Sequence, residues 1–241
     1  MDVSPIERPE TLTEAVARHI RDAIVHGDYA PGSALPEIPL AREFGTSRGT
    51  VREASLRLAD LGLVEVVPHR GLFVSRVSRR RARDMYGVRG VLEAYAVRCA
   101  AAEGAFCGEG RDAVTVRLRA LEAAAGSGDP MEMIKMERAL HQEIWSRCGN
   151  QLLLDMLATL NLQTRRLLIY NKTFSAPLIE SLAMHRALVE AVLSGDADRA
   201  ESATREHIRT SGDQIQAQMP EDPEDGANGS TRSLGSDEDT G

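Results

Sequence analysis

The sequence predicts a mainly α protein in which a small three-helix unit, closed by a short β-hairpin, is followed by an all-α helical bundle. Three observations lead there. Residues 11–62 hold three segments with apolar residues at helical spacing, each with its own start and stop signals. Two β-branched or aromatic runs then flank a Pro/Gly turn, and helical periodicity resumes near Ser78 and persists to about Met219.

The first helix begins at a capping box, "TLTE", with Thr11 as N-cap and Glu14 reaching back to the exposed backbone N–H groups. Val16, Ile20, Ala23 and Ile24 recur at helical spacing, and Gly27 ends the segment. The turn-rich stretch "DYAPGSALPE" leads to a short second helix supported by Leu40, Ala41 and Phe44 and closed by Gly45. About one residue is expected between this helix and the next. Ser47 caps the third helix, in which Val51, Ala54, Leu58 and Leu61 form the buried stripe and Gly62 supplies the stop. "LVEVV" and "LFVS", separated by "PHRG", then predict a hairpin. About six helices follow, with breaks at "FCGEG", "GSGDP", "CGN", "KTFSAP" and "SGDAD". The expected organisation is a flexible N-terminus over 1–10, a first domain over 11–76, a linker over 77–83, a helical domain over 84–218 and a disordered acidic tail over 219–241.

With 241 residues and 42% apolar content, the chain can form two ordinary cores without staples. Its three cysteines, Cys99, Cys107 and Cys148, have no paired spacing, which argues against a disulfide framework or zinc knuckle and fits a reducing cytoplasm. No apolar run is long enough to span a membrane, and the charged, Pro-bearing start lacks the core of a signal peptide. The net charge of -7 is unevenly placed. Seven acids against Arg232 alone give residues 219–241 a local -6, whereas eight arginines against four acids give Arg42–Arg80 a local +4. Phosphate attraction is screened within about 8–10 Å at cellular salt, so the local value is the relevant one.

On the third helix, the face opposite the buried stripe carries Arg48, Gly49, Thr50 and Arg52 within its first two turns. A recognition helix enters the major groove by its N-terminal part, where arginine can contact guanine through two hydrogen bonds and the helix N-terminus can face phosphate. Arg42 and the cap Ser47 flank this face. His69 and Arg70 fall at the hairpin tip, where Gly71 permits the turn, so the hairpin is expected to act as a wing on the minor groove or backbone. The arrangement reads as a winged helix-turn-helix. A pair of arginines alone would be an ordinary solvated helix face; the tight turn, the cap and the wing change that.

The continuous stretch "PLAREFGTSRGTVREASLRLADLGLVEVVPHRGLFV", preceded by "AIVHGDYAPGSALPE", resembles the DNA-binding domain of the GntR family of bacterial transcription regulators. The resemblance covers about Thr11 to Ser75 and implies a homodimer on a short palindromic double-stranded DNA operator. Arg48 and Arg52 fall on the family's base- and phosphate-contacting positions and Gly71 on its wing glycine, while Gly49 and Ser55 depart from the usual "SRTPVREAL".

Three histidines of the helical domain fall on the inward sides of different helices. His141 accompanies Met133, Leu140 and Ile144; His185 accompanies Leu178, Leu182, Leu188 and Val192; His207 accompanies Ala200, Ala203 and Ile208. Glu137 stands one turn before His141 on the same face. Three imidazoles and a carboxylate suit Zn²⁺ or another transition ion with positions left open, although any one inward histidine would be ordinary as a hydrogen-bonded core residue.

The region from about Asp84 to His207 resembles the FCD ligand-binding domain of the FadR subfamily, through "VRGVLEAYAVRCAA", "ERALHQEIWSRCGNQLLL", "SLAMHRALVEAVLSGDADRAESA" and "REHI". The resemblance implies metal ligands at Glu137, His141, His185 and His207, with zinc first and nickel or manganese as alternates. Glu137 replaces the usual Asp; its longer side chain leaves open altered coordination, weaker coordination or direct contact with a ligand. Arg89 and Glu93 match the family's "R-x-x-x-E" pair, which implies binding of a small organic-acid effector. An i,i+4 ion pair within one helix is the alternative for these two, and both can hold if the Glu orients the Arg. The expected protein is thus a repressor, not an enzyme. A metal-dependent hydrolase with Glu137 as base is the rival reading; there is no "HExxH" and no Gly-rich phosphate loop to support it.

Overall fold

Thr11 caps the first helix in the computed structural model, which describes residues 10–171, 178–219 and 221. Its hydroxyl accepts from Glu14 N at 3.2 Å and Glu14 Oε2 accepts from Thr11 N at 2.8 Å, so both arms of the capping box form. Helix α1 (Leu12–His26) buries Val16, Ile20 and Ile24 and ends at Gly27, whose φ of 92° is the left-handed conformation that favours glycine. Helix α2 (Glu37–Glu43) stops earlier than the spacing predicts. Phe44 is its C-cap, and four residues rather than about one separate it from α3 (Arg48–Asp60). Ser47 Oγ accepts from Thr50 N at 3.1 Å and starts α3, which lays Val51, Ala54 and Leu58 against α1.

Strands β1 (Val64–Val67) and β2 (Gly71–Val74) pair antiparallel, with Val64 opposite Val74 and Val67 opposite Gly71. Leu72 and Val74 face the same core as Ile20, Leu40 and Leu58, which fixes the wing against the three helices. Truncating one of those core leucines to alanine would cost about 2–5 kcal/mol, a large part of what holds a domain of this size.

The second part is helical throughout: α4 (Arg79–Ala102), α5 (Glu109–Ser127), α6 (Pro130–Trp145), α7 (Gln151–Asn171), α8 (Leu178–Leu193) and α9 (Ala197–Gln218). Ser78 caps α4, so residues 79–83, expected as a linker, form its first turns, and Ala82 is fully buried there. Met219, expected as the first tail residue, is instead buried beside Met85, Tyr86 and Ile215, and Arg79 donates to its carbonyl. Of the N-terminus expected over 1–10 only Glu10 is described, paired with Arg18 at 3.0 Å; the break at 172–177 and the rest of the tail, apart from Glu221, lie outside the described residues. Helix α4 packs most extensively on α9, while α5 packs on α6 and α8 around Val97, Leu121, Met133, Leu140 and Leu188.

Helix α7 joins the two parts. Leu162 packs against the winged core, Gln163 Nε2 donates to Leu61 O at 2.9 Å, and Arg166 donates to Gly62 O at 3.2 Å and Leu63 O at 3.1 Å. These carbonyls belong to the turn that ends α3. No helix among the described residues is long and apolar enough to cross a membrane.

Candidate functional site

Two constellations carry chemistry. The first is the exposed N-terminal end of α3. Arg42, Ser47, Arg48 and Arg52 are exposed there, while Thr50 is half-buried, its hydroxyl 2.9 Å from Ser47 Oγ. Arg48 and Arg52 are brought together by a residue the sequence reading passed over, Glu37 at the start of α2. Arg48 Nε donates to Glu37 Oε2 at 2.5 Å, and Arg52 Nη1 donates to Glu37 Oε1 at 2.7 Å. The Glu37 side chain is only 9% exposed. Burial works to raise its pKa, but the hydrogen bonds and charges of Arg48 and Arg52 outweigh it and hold the carboxyl below its ordinary value. Because Arg48 is held through Nε, the carboxylate braces the side chain without engaging its two terminal nitrogens.

At the wing tip, His69 and Arg70 are exposed, as expected. His69 adopts φ 62° and Gly71 φ 105°, so the turn uses two left-handed residues rather than the glycine alone. The Arg70 guanidinium lies 5.4 Å from the centroid of the Phe73 ring, which steadies it over the hairpin.

The second constellation lies inside the helical domain. His141 on α6, His185 on α8 and His207 on α9 are all buried, and one ring nitrogen from each falls within 4.8 Å of the others. His207 Nε2 stands 3.1 Å from His141 Nε2. Two nitrogens on one tetrahedral zinc sit about 3.3 Å apart, so this spacing fits a shared ion. Among the described residues, the buried His207 Nδ1 has no hydrogen-bond partner. Burial, followed by the fields of His185, His141 and Arg89, pushes the His207 imidazole well below its usual pKa, which keeps it in the neutral form a metal requires.

Glu93 on α4 lies 3.2 Å through Oε2 from His141 Nδ1 and accepts from Arg89 Nε at 2.7 Å through Oε1. Burial favours its protonated form, but Arg89 and His141 prevail and set its pKa at about 2. A carboxylate on Nδ1 fixes the tautomer and turns Nε2 of His141 toward the cluster. The Arg89–Glu93 pair is thus an i,i+4 ion pair within α4, and its carboxylate also contacts a histidine. Arg89 sits 4.8 Å from the centroid of the Tyr86 ring and lines a narrow cleft of about 20 Å³ together with Glu137, Arg138, His141, Thr164 and Arg165. Glu137 is 20% exposed, and its Oε1 is 3.8 Å from His185 Nε2, so it borders the histidines from the cleft side.

The signals for the residues the sequence left unassigned are weak. Glu37 is an acid 11 and 15 residues before the arginines it holds; Gln163 and Arg166 are buried polar positions on α7 next to the buried Leu167 and Leu168.

Residues 12–74 match the model for bacterial regulatory proteins of the gntR family, and residues 84–210 match that for the FCD domain. The chain is 32% identical over 210 residues to an HTH-type transcriptional regulator in an unstable DNA locus of Streptomyces ambofaciens, covering 85% of each chain. It is 28% identical over 197 residues to a protein described as a probable D-xylose utilization operon transcriptional repressor of Paenarthrobacter nicotinovorans, covering 80% of this chain and 85% of that one. Among solved structures, E. coli McbR/YncC shares the fold with a TM-score of 0.72 at 24% identity, over 86% of this chain and 98% of the other.

Proposed function

The chain belongs to the GntR family of bacterial regulatory proteins and carries an FCD domain, so it is a DNA-binding transcription regulator and not an enzyme; from that premise we propose a FadR-type repressor. It acts in the cytoplasm as a homodimer on a palindromic operator and is released when a small organic acid binds in the helical domain. The observation that carries the regulatory reading is the placement of α7. Its residues Asn161, Thr164, Arg165 and Leu168 line the cleft, while Gln163 and Arg166 hold the carbonyls that end the recognition helix. An acid that binds α7 differently in two arrangements of the subunit biases DNA binding, and by linkage DNA biases the acid equally.

His141, His185 and His207 are assigned as ligands of a divalent transition metal, zinc first, with nickel or manganese as alternates, and Glu137 as the neighbouring carboxylate. When bound, such an ion supplies a Lewis-acid anchor for a carboxylate. Glu93 orients His141, and Arg89 offers a guanidinium to the same acid. Val88, Val91 and Tyr95 recur at three- and four-residue spacing and leave one face of α4 apolar and exposed, which supports pairing of two subunits.

The test is elemental analysis of tag-free protein alongside His185→Ala, with binding to duplexes enriched from a random pool. About one metal per subunit is expected in the parent and none in the variant. The variant should keep DNA binding and lose release by acids. Failure to take up added Zn²⁺, Ni²⁺ or Mn²⁺, or acid-triggered release that survives in His185→Ala, would overturn the assignment.

A further inference from the structure

Where the chain leaves the hairpin it carries a run of arginines: Arg76, then Arg79, Arg80, Arg81 and Arg83 in the first turns of α4. Asp84 is the one acid beside them, so residues 76–84 hold a local +4. Arg76, Arg80, Arg81 and Arg83 are exposed. Among the described residues, the side chains of Arg76, Arg81 and Arg83 make no ion pair or hydrogen bond, and the first turn of α4 has no acid to offset them. Like charges held this close repel one another, and an anion of matching extent relieves them.

The other end of the helical domain arrives at the same place. Met219, which follows α9, is buried against Met85 and Tyr86, and Arg79 donates to its carbonyl. Residues 220–241 hold seven acids against Arg232 alone, a net -6. Glu221, Asp222, Glu224 and Asp225 follow that carbonyl closely, within about 20 Å of chain at full extension. A groove of about 240 Å³ between α4 and α9 opens at Arg83, with Tyr86 and Gly87 on one wall and Gly212 and Gln216 on the other. Its other cations, Arg205 and Arg209, are already held by Glu201 at 3.0 Å and Asp213 at 2.7 Å, which leaves Arg83 as the cation open to a new partner.

We infer that this arginine surface is the docking site of the chain's own acidic residues 220–241, an autoinhibitory contact that shields it from polyanions. Arg76 lies two residues beyond β2, the strand that returns from the wing tip, so the surface adjoins the winged domain and its charge adds to the field that draws phosphate. A segment attached a few residues away competes at an effective concentration on the order of millimolar, so DNA reaches these arginines only by displacing it. Non-specific binding, which runs on backbone charge, is thereby weakened.

The experiment uses the full-length chain in four forms: the parent, a form with each of the seven acids changed to its amide, a form with Arg76→Gln, Arg81→Gln and Arg83→Gln, and the two sets combined. The probes are a fluorescent peptide with the sequence of residues 220–241 and a scrambled duplex, both read by anisotropy from about 50 to 200 mM salt. The amide form is expected to bind the peptide at least about tenfold more tightly than the parent, whose own acids hold the site, and the combined form to lose that binding. Affinity for the scrambled duplex should rise at least about tenfold in the amide form and fall back in the combined form. Equal peptide binding by the parent and the amide form, or peptide binding that survives in the combined form, would overturn the docking site. A gain in duplex binding with no peptide binding would overturn it too, by making the acids a distant repellent. Arginine substitutions that weaken duplex binding equally with and without the acids would give the surface to DNA alone and sink the inference.

Discussion

Replacing Glu37 by glutamine separates positioning from charge at the exposed N-terminal end of α3, the end proposed to meet DNA. The side chain keeps its size, so the packing of α2 on α3 is preserved, but the carboxylate that holds Arg48 at 2.5 Å and Arg52 at 2.7 Å is gone. The cost to folding is small. The arginine side chains are 66% and 48% exposed, and exposed ion pairs contribute only about 0.2–1 kcal/mol each, so the variant should lose on the order of 1 kcal/mol. The cost to recognition is larger, because a well-placed arginine fork on guanine carries about 1–3 kcal/mol of discrimination against a wrong base. Freed of its brace, Arg48 must order itself on binding, while removal of one negative charge near the phosphates strengthens binding to any duplex. Specific affinity should fall and non-specific affinity rise, lowering their ratio by about tenfold to a hundredfold. Fluorescence anisotropy with an enriched duplex and a scrambled one, at several salt concentrations from about 50 to 200 mM, reads both terms. A ratio unchanged within about twofold would refute the bracing role and leave Glu37 as a partner of no consequence for DNA reading.

Arg166→Met should leave DNA binding by the winged domain intact yet weaken its coupling to the helical domain, since charge-assisted bonds to Gly62 O and Leu63 O, worth about 1.5–3 kcal/mol, are lost. Calorimetry should then show two melting transitions in place of one, and a single unshifted transition would contradict that. For metal-stripped protein, the depressed pKa of His207 sets the sign of the pH effect: the unfolded chain takes up the proton below 6.5 and the folded one resists it, so stability is full above 6.5 and declines as pH falls below it. Urea midpoints that stay level from about pH 7.5 to about pH 5.5 would count against a buried neutral imidazole. Ser55 is fully buried in α3, and among the described residues its hydroxyl has no hydrogen-bond partner. Ser55→Ala should therefore stabilise by about 1 kcal/mol, or about 2–4 °C in melting temperature, and a lower melting temperature would show that the hydroxyl is satisfied after all.

Much of this molecule is written in local signals. Thr11 with Glu14, Ser47 with Thr50, and the apolar spacing of Val51, Ala54 and Leu58 act over one or two turns, and each forms as its residues predict. The inward histidines were legible for the same reason, because a helix fixes which positions share a face. Element ends were less so: α2 gives up Phe44 as a cap, and Ser78 starts α4 before the expected domain boundary, since packing partners such as those of Ala82 decide how far a helix runs.

The sequence by itself thus determined the order of elements, the exposed arginines of α3 and the inward histidine set. Tertiary structure alone decided how those groups are joined: Glu37 clasping Arg48 and Arg52 from another helix, Glu93 turning His141 from 48 residues away, Arg138 facing the same cleft as Arg165, and α7 reaching more than 100 residues back to the end of α3. Periodicity sets which way a side chain leaves its own helix; which group it meets depends on how helices distant in sequence pack, and no local pattern encodes that.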